Sequence, residues 1–487
     1  MSARLTALSA AHLDRLAPRQ VADCLAYFDP DAVVLTDAAA GEATRATQAG
    51  PLADVEVLAP NPPPYLANRG LPRVIDAGGV DVVVPASHDQ LAGVAVLEHE
   101  GTVDPATETY VVSDLLEVAV EPTELAARLD GREAYLDALD PGALDGSYTH
   151  VAVTAPPSYR RRWDGMRVVG GGTPESEVAT LSLSPDGTVC TRSIRETRLG
   201  LRAIAGVGAT TAARLRERGA SEPDDVAAMG VPDLRAVDGV GRGRAEEIAD
   251  HATAIAEGRV VVSDHEGFPD PDAEPIFLDV ETDGLTPTAV WLVGVLDRSR
   301  RDGQATAGDG RFRPFLQRDP DADGFAVESF LSWYAEHAAG RPVVAYNGRE
   351  FDFPVIERHA AEHCPELLDH WTTAPTFDPL AWARDGHAAL PGRTNGLSDV
   401  AAALGWDGDD TGLTGAAVAR RYRRWCRERT AEAELDWDRH VEYCEDDARA
   451  LARVYDALAR ADPTAHDRGT GGGSDAGSMQ GRLTDFS

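Results

Sequence analysis

The stretch from 275 to 296, PIFLDVETDGLTPTAVWLVGVL, constrains this chain more than any other. An apolar run from Pro275 to Leu278 leads into Asp279, Val280 and Glu281, a turn follows at Asp283 and Gly284, and a second apolar run spans Ala289 to Leu296. This spacing predicts two β-strands joined by a short loop. Side chains alternate along a strand, so Asp279 and Glu281 share a side and can serve one hard divalent cation. In a chain with 81 acidic residues among 487, such pairs also arise by chance. The pair gains weight from its place at the end of an apolar strand and from two carboxylate motifs downstream.

The formal charge is −35, the isoelectric point is about 4.6, and all 46 basic residues are arginine. A basic nucleic-acid binder does not look like this. The composition is instead the one expected of a cytosolic protein from an extreme halophile. At 1 M salt the Debye length is about 3 Å, so an acidic surface does not exclude a DNA or RNA substrate. Binding would then rest on short-range contacts and metal ions. Five scattered cysteines, Cys24, Cys190, Cys364, Cys426 and Cys444, form no CxxC pair, which argues against a disulfide framework or a zinc knuckle. No apolar run reaches membrane-spanning length and the N-terminus lacks a secretory pattern, so the expectation is a cytoplasmic protein with no membrane partner.

Residues 1–195 read as an α/β domain of unstated role, with short apolar runs such as Ala32 to Leu35, Val80 to Pro85 and Tyr110 to Val112. A helical pattern covers Pro122 to Leu139, and a strand pair turns at Pro185, Asp186 and Gly187. A RecB-like nuclease site would need a lysine after its acidic pair, and the chain has none. Arg160, Arg161 and Arg162, beside Tyr159 and Trp163, read either as a contact for phosphate and base or as a solvated face.

Residues 196–258 contain a repeat. Ile204, Ala205, Gly206, Val207 and Gly208 precede a helix with Ala212 and Leu215; Val237, Asp238, Gly239, Val240 and Gly241 precede another with Ala245 and Ile248. The pair resembles a tandem helix-hairpin-helix domain. Its glycines allow sharp turns, and the helix N-termini that follow offer unpaired N–H groups to phosphate oxygens without reading base sequence. The expected DNA contacts are Gly206, Gly208, Gly239, Gly241, Arg242 and Arg244; a purely helical spacer is the alternative. Residues 259–273, rich in Pro and Asp, read as a linker.

From 274 to 462 strands alternate with helices. Asn347, Phe351 and Asp352 follow a strand from Pro342 to Tyr346, and Asp352 opens a helix, where a plain capping role is the alternative. The final helix, about Asp438 to Ala459, buries a stripe of Cys444, Ala448, Leu451, Tyr455 and Leu458, with Tyr443 and Asp447 at the rim.

These pieces resemble the three motifs of the DnaQ-like DEDD exonuclease superfamily: D-x-E at Asp279 and Glu281, N-x-x-x-F-D at Asn347, Phe351 and Asp352, and Y-x-x-x-D at Tyr443 and Asp447. The tyrosine form is the DEDDy subgroup; a histidine form would need an aspartate five residues after His440, where a glutamate, Glu445, stands instead, so the tyrosine is preferred. YNGREFDFP, Asp378 in FDPLAWAR and the run DDTGLTGAAVARRYRRW are most similar to YprB-type RNase H-like domains. The resemblance implies a mixed sheet flanked by helices, and two Mg²⁺ or Mn²⁺ ions held by Asp279, Glu281, Asp352 and Asp447. It implies that Tyr443 orients the attacking water, and that Thr282, Leu285, Asn347 and Phe351 contact substrate. Asp446 is the rival to Asp447. Arg420, Arg421, Arg423, Arg424 and Arg427, with Tyr422 and Trp425, read either as a single-strand contact or as salt-bridge partners.

Residues 463–487 read as a disordered tail. Its end resembles a sliding-clamp-binding peptide through Gln480, Leu483 and Phe486. The sequence reading is thus a two-metal 3′→5′ exonuclease, with DNA favoured over RNA. A non-catalytic nucleic-acid-binding scaffold and an exoribonuclease are the alternatives.

Overall fold

A computed structural model describes residues 2–36, 50–58, 71–77, 79–113, 117–121, 126–130, 132–152, 160–163, 166–170, 177–299, 310–408, 411, 413–431 and 433–464. Two compact units emerge, residues 1–200 and 201–487.

The first unit holds two sheets. One has the order Val189–Arg195, Glu177–Leu183, Ala3–Ser9, Ala32–Thr36, Glu56–Leu58; the other runs Arg160–Trp163, Met166–Gly170, Tyr148–Ala152, Thr109–Ser113, Val80–Val84, Arg73–Ala77. Period-two alternation explains the layers. Leu5, Val34 and Leu181 of one sheet share a core with Val82, Tyr110 and Val151 of the other. Val33 and Leu35 point the opposite way, onto Leu16, Val21, Cys24 and Phe28 beside helix Pro18–Phe28. Val83 and Val111 likewise meet Leu91, Val94, Leu97, Tyr135 and Leu139. Strands apolar on both faces are what helix cover on one side and a second sheet on the other require. The unit is therefore α/β, as expected, with layers helix, sheet, sheet, helix.

The helix expected over Pro122 to Leu139 is corrected: Ala126–Asp130 is a strand paired with Glu117–Glu121, and the helix is only Arg132–Leu139. Local apolar spacing cannot distinguish a short strand followed by a short helix from one longer helix. The hairpin at Pro185 to Gly187 forms, with Leu183 opposite Val189. Arg160, Arg161 and Arg162 lie on a strand paired with Met166–Gly170. Tyr159 lies outside the described residues, as do Gln480, Leu483 and Phe486.

The second unit begins with four helices, α1 (Ala209–Glu217), α2 (Pro223–Ala227), α3 (Val231–Arg235) and α4 (Arg242–Glu257). Ile204, Val207, Ala212 and Leu215 of the first repeat pack with Val237, Val240, Ala245 and Ile248 of the second. Strand β1 (Val261–Val262) follows.

The stretch 259–273, expected as a linker, is stitched into the following domain. Strand β1 pairs antiparallel with Ala388–Ala389, Thr464 N–H donates to Val262 O at 2.7 Å, and Trp382 Nε1 donates to Glu266 O at 2.8 Å. Phe268 packs on Phe377, Trp382 and Tyr455. A polar composition did not reveal that two valines and one phenylalanine would dock.

The C-terminal sheet is built from β2 (Ile276–Thr282), β3 (Val290–Asp297), β4 (Arg311–Leu316), β5 (Val343–Val344) and β6 (Thr376–Phe377) in the order β4-β3-β2-β5-β6. Strands β2, β3 and β4 pair antiparallel, whereas β5 and β6 run parallel to β2. One face buries Ile276, Leu278 and Val280 against Phe330 and Tyr334 of α5 (Phe325–His337) and Val355 and Ile356 of α6 (Asp352–His363). The other face carries α7 (Gly415–Glu428) and the long α8 (Trp437–Arg460). There Phe277 meets Leu451 and Tyr455. Among the described residues no helix is long and apolar enough to cross a membrane.

Candidate active site and nucleic-acid interface

Along β2, Phe277, Asp279 and Glu281 occupy one side. Phe277 lies in the core under α8, so the row carries the two carboxylates toward that helix. Gly294 of β3 sits opposite Asp279 in the ladder. A Cβ there would collide with Cys444 Sγ and the Phe312 ring, so this glycine lets α8 approach the sheet. Cys444 Sγ then reaches Asp279 O at 3.8 Å. Residue 447 lies one turn further along, on the neighbouring line of the helix. All five stripe residues of α8 are buried, while Tyr443 and Asp447 are half-buried.

Asp352 arrives from the loop after β5. The helix cap is Phe351, so Asp352 is the first residue of α6 rather than its cap. Asp352 is 6% exposed. A helix N-terminus should favour the charged form. Burial wins nonetheless, raising Asp352 to about 7, with the charge of Asp378 acting in the same direction. Asp279 is raised to about 7 by burial and then by Asp352. Glu281 is raised well above the usual carboxylate range by burial, then by Asp279, Asp447 and Asp352. Asp447 rises through burial and Asp279, opposed by a hydrogen bond from Tyr443. Tyr443 rises through burial and then Asp447 and Glu281.

Acidic groups from three distant segments therefore repel one another within a single site. Asp279 Oδ2 is buried with no hydrogen-bond partner. An orphaned anionic oxygen beside three further carboxylates is a donor set suited to hard divalent ions. Among the described residues, no three His, Cys, Asp or Glu side chains already stand close enough together to hold a metal ion.

The two rivals have partners of their own. Asp446 accepts a hydrogen bond from Trp406 Nε1 at 3.2 Å, so it is turned toward Trp406. His440 is fully buried, its Nδ1 lies 2.7 Å from Asp436 O, and burial lowers it to about 4.

The loop carrying Asn347 depends on Asp378, which is 3% exposed. Asp378 Oδ1 accepts from Asn347 N at 3.1 Å, Leu380 N at 3.0 Å and Ala381 N at 3.1 Å, and its Oδ2 accepts from Arg349 N at 3.1 Å. Those bonds hold Asn347 at a φ of 60°, a conformation that asparagine tolerates better than most residues. Phe351 is half-buried beside it. In the first turn, Thr282 is buried and its hydroxyl donates to Gly284 O at 2.9 Å, whereas Leu285 is 75% exposed. Of these two expected substrate contacts, Leu285 alone is presented to solvent.

Of the two readings of the basic stretch, Tyr422, Arg424 and Arg427 take the structural one. Tyr422 is buried and stacks on Trp291 with centroids 5.0 Å apart, so it is closed to a base. Arg424 and Arg427 both pair with Glu428, at 2.9 and 3.5 Å.

The two hairpins repeat to a fine level. Gly206 and Gly239 both have φ of 77°, and Val207 N and Val240 N close matching turns onto Ile204 O and Val237 O at 3.1 and 3.0 Å. Gly208 and Gly241 cap α1 and α4 without any side-chain hydrogen bond, and both are exposed. First-turn N–H groups are thus left for an outside acceptor. Arg244 differs from expectation: its Nε and Nη2 donate to Gly206 O at 2.8 and 2.5 Å, stapling one hairpin to the other. Arg214 reciprocates onto Asp238 O. Arg242 pairs with Glu246 at 3.0 Å.

Residues 276–459 match the model of a family in the RNase H superfamily. The C-terminal domain is an RNase H-like domain. Residues 199–253 match the SAM-like helix-hairpin-helix tandem, which therefore precedes it. No curated protein matches the chain in sequence. A helix-hairpin-helix tandem joined to an RNase H-like domain indicates a nuclease that binds and processes nucleic acid.

Sequence reasoning missed Gly294, whose signal was a glycine inside an apolar strand. It read Asp378 as a structural or supporting residue without naming its partners, because the four amides it binds belong to two segments separated in the chain.

Proposed function

We propose that the RNase H-like domain is a DEDDy-type 3′→5′ exonuclease acting on nucleic acid, with DNA in repair or replication the favoured substrate. One observation carries the reading. Asp279, Glu281, Asp352 and Asp447, drawn from three segments, are all raised above the usual carboxylate range, first by burial and, for Asp279, Glu281 and Asp447, also by charges within the set, and Asp279 Oδ2 is left without a partner.

Perturbed carboxylates clustered in one site mark function more often than stability. Those four side chains would hold Mg²⁺ or Mn²⁺. Bound divalent ions supply hydroxide at neutral pH and neutralise charge on the leaving oxygen. Tyr443, hydrogen-bonded to Asp447, orients the attacking water. Phe351 and Leu285 support the terminal nucleotide, and Asp378 fixes the loop that delivers Asp352. The exposed, uncapped amides after Gly208 and Gly241 grip the backbone without reading sequence.

The test is end-labelled single-stranded DNA and RNA incubated with Mn²⁺ in molar KCl, with Asp279→Asn and Asp447→Asn alongside wild type. Wild type shortens its substrate from the 3′ end and neither variant does. Equal trimming by all three proteins would remove the site assignment, and a preference for RNA would redirect the substrate. A folded wild type that binds but never trims would favour a scaffold.

A further inference from the structure

We propose that Arg358 and Arg423 form a backbone-phosphate clamp astride the Thr282–Ala289 turn, gripping a single strand as its 3′ end enters the carboxylate site. This rests on the nuclease reading and names the substrate contact of that same site.

Several described arginines donate to backbone carbonyls rather than to a carboxylate, Arg214, Arg244 and Arg453 among them, but Arg358 and Arg423 do so on one and the same turn. On α7 the neighbours are taken: Arg424 and Arg427 pair with Glu428, and Arg429, just past the helix, pairs with Asp321 at 2.8 Å. Among the described residues neither Arg358 nor Arg423 has such a partner. Each spends a single N–H on a backbone carbonyl of the same turn. Arg358 Nη2 donates to Pro287 O at 3.1 Å, and Arg423 Nη1 donates to Asp283 O. Both residues are exposed, which leaves their other donors facing solvent.

The turn between them is stiff. The Asp283 carboxylate accepts from Thr288 N at 2.8 Å, Thr288 Oγ1 at 2.6 Å and Ala289 N at 3.1 Å. Gly284, at φ 150°, gives Arg423 room, since a Cβ there would stand 2.7 Å from Nη1. Leu285 rises from the tip, 75% exposed. Guanidinium groups already fixed by one hydrogen bond lose less freedom when a phosphate arrives. An apolar tip between two cations matches a nucleobase flanked by two phosphodiesters. Asp279 and Glu281 lie on β2 immediately before this turn, so a strand gripped at the turn has its end beside them.

A brace that only stiffens the turn is the competing role, and salt dependence separates the two. Binding of a short 5′-labelled single-stranded oligonucleotide to the full chain is followed by anisotropy without divalent metal across a KCl series. The proteins compared are wild type, Arg358→Gln, Arg423→Gln and Arg423→Lys. Glutamine keeps a donor for the carbonyl and loses the charge; the hairpins contribute equally to all four proteins. Each glutamine variant is expected to weaken binding roughly 5-fold or more and to lower the log–log salt slope by about 0.7, while Arg423→Lys keeps the slope. Unchanged slope and affinity in both glutamine variants, or a lowered melting temperature accompanying every loss of binding, would overturn the clamp. Slope loss in the glutamine variants together with a wild type that never trims leaves the clamp standing and sinks the exonuclease. Trimming by wild type with unaltered slopes sinks the clamp alone.

Discussion

The carboxylate site and the helix-hairpin-helix tandem both keep polar groups unsatisfied, but in opposite ways. In the RNase H-like domain the groups are anionic, sheltered from water and mutually repulsive, so Asp279 and Asp352 stand near 7 rather than in the usual carboxylate range. In the tandem they are neutral amide donors at Gly208 and Gly241, exposed to water that solvates them at little cost. A site waiting for a cation stores electrostatic strain in the fold; a surface waiting for a phosphate stores almost none. Mutations should therefore act on stability for different reasons in the two regions.

The largest contrast is in chemistry. Asp352→Asn should cut 3′ trimming by roughly 10³-fold, as expected for a unit in which each member is needed. Its oligonucleotide affinity should stay within about 2-fold of wild type, because the hairpins hold the backbone. Single-turnover trimming beside anisotropy gives both quantities, and a parallel fall in the two would dissolve the division of labour.

Metal affinity should follow protonation. Below pH 7 Asp279 and Asp352 carry protons that a cation must displace, so Mn²⁺ affinity should fall about 10-fold per pH unit for each proton displaced. Calorimetric titration between pH 8 and pH 6 measures it. A flat profile would mean that these carboxyls are not ligands.

Stability should respond with a definite sign. An acid whose folded pKa is raised binds more protons folded than unfolded, so the fold loses stability as pH climbs from about 4 to about 7. Asp279→Asn removes that loss. The metal-free variant should melt a few degrees above wild type at pH 8, since about 1 kcal/mol moves a domain of this size by ~2–4 °C, and closer to wild type at pH 5. A destabilised variant at pH 8 would contradict the strain.

The smallest effect belongs to the hairpins. Gly241→Asp supplies a side-chain cap and should stabilise α4 by only about a few tenths of a kcal/mol while weakening oligonucleotide binding, because a carboxylate takes the amides a phosphate would use. Thermal melts and anisotropy together check it. Tighter binding would mean that these amides do not face the backbone.

Much of this was legible in particular residues. The Gly-apolar-Gly repeats located both hairpin turns, since a φ of 77° at Gly206 and Gly239 is strongly disfavoured for residues bearing a Cβ. The apolar spacing of Cys444, Ala448, Leu451, Tyr455 and Leu458 placed Tyr443 and Asp447 at a rim. Less was legible where a fate depended on a distant partner. Arg242 and Arg244 looked alike in sequence, yet Arg244 meets Gly206 O across the tandem and Arg242 meets Glu246 within its own helix. Tyr422 looked like a stacking surface until Trp291 covered it.

The sequence by itself determined the order of elements and the chemistry each could offer, because period, turn and cap preferences act over a few residues. Only the tertiary structure decided which charges are strained, which arginines are spent and which helix comes near enough to Asp279. Those outcomes depend on burial and on separations between segments far apart in the chain, and no local pattern encodes them.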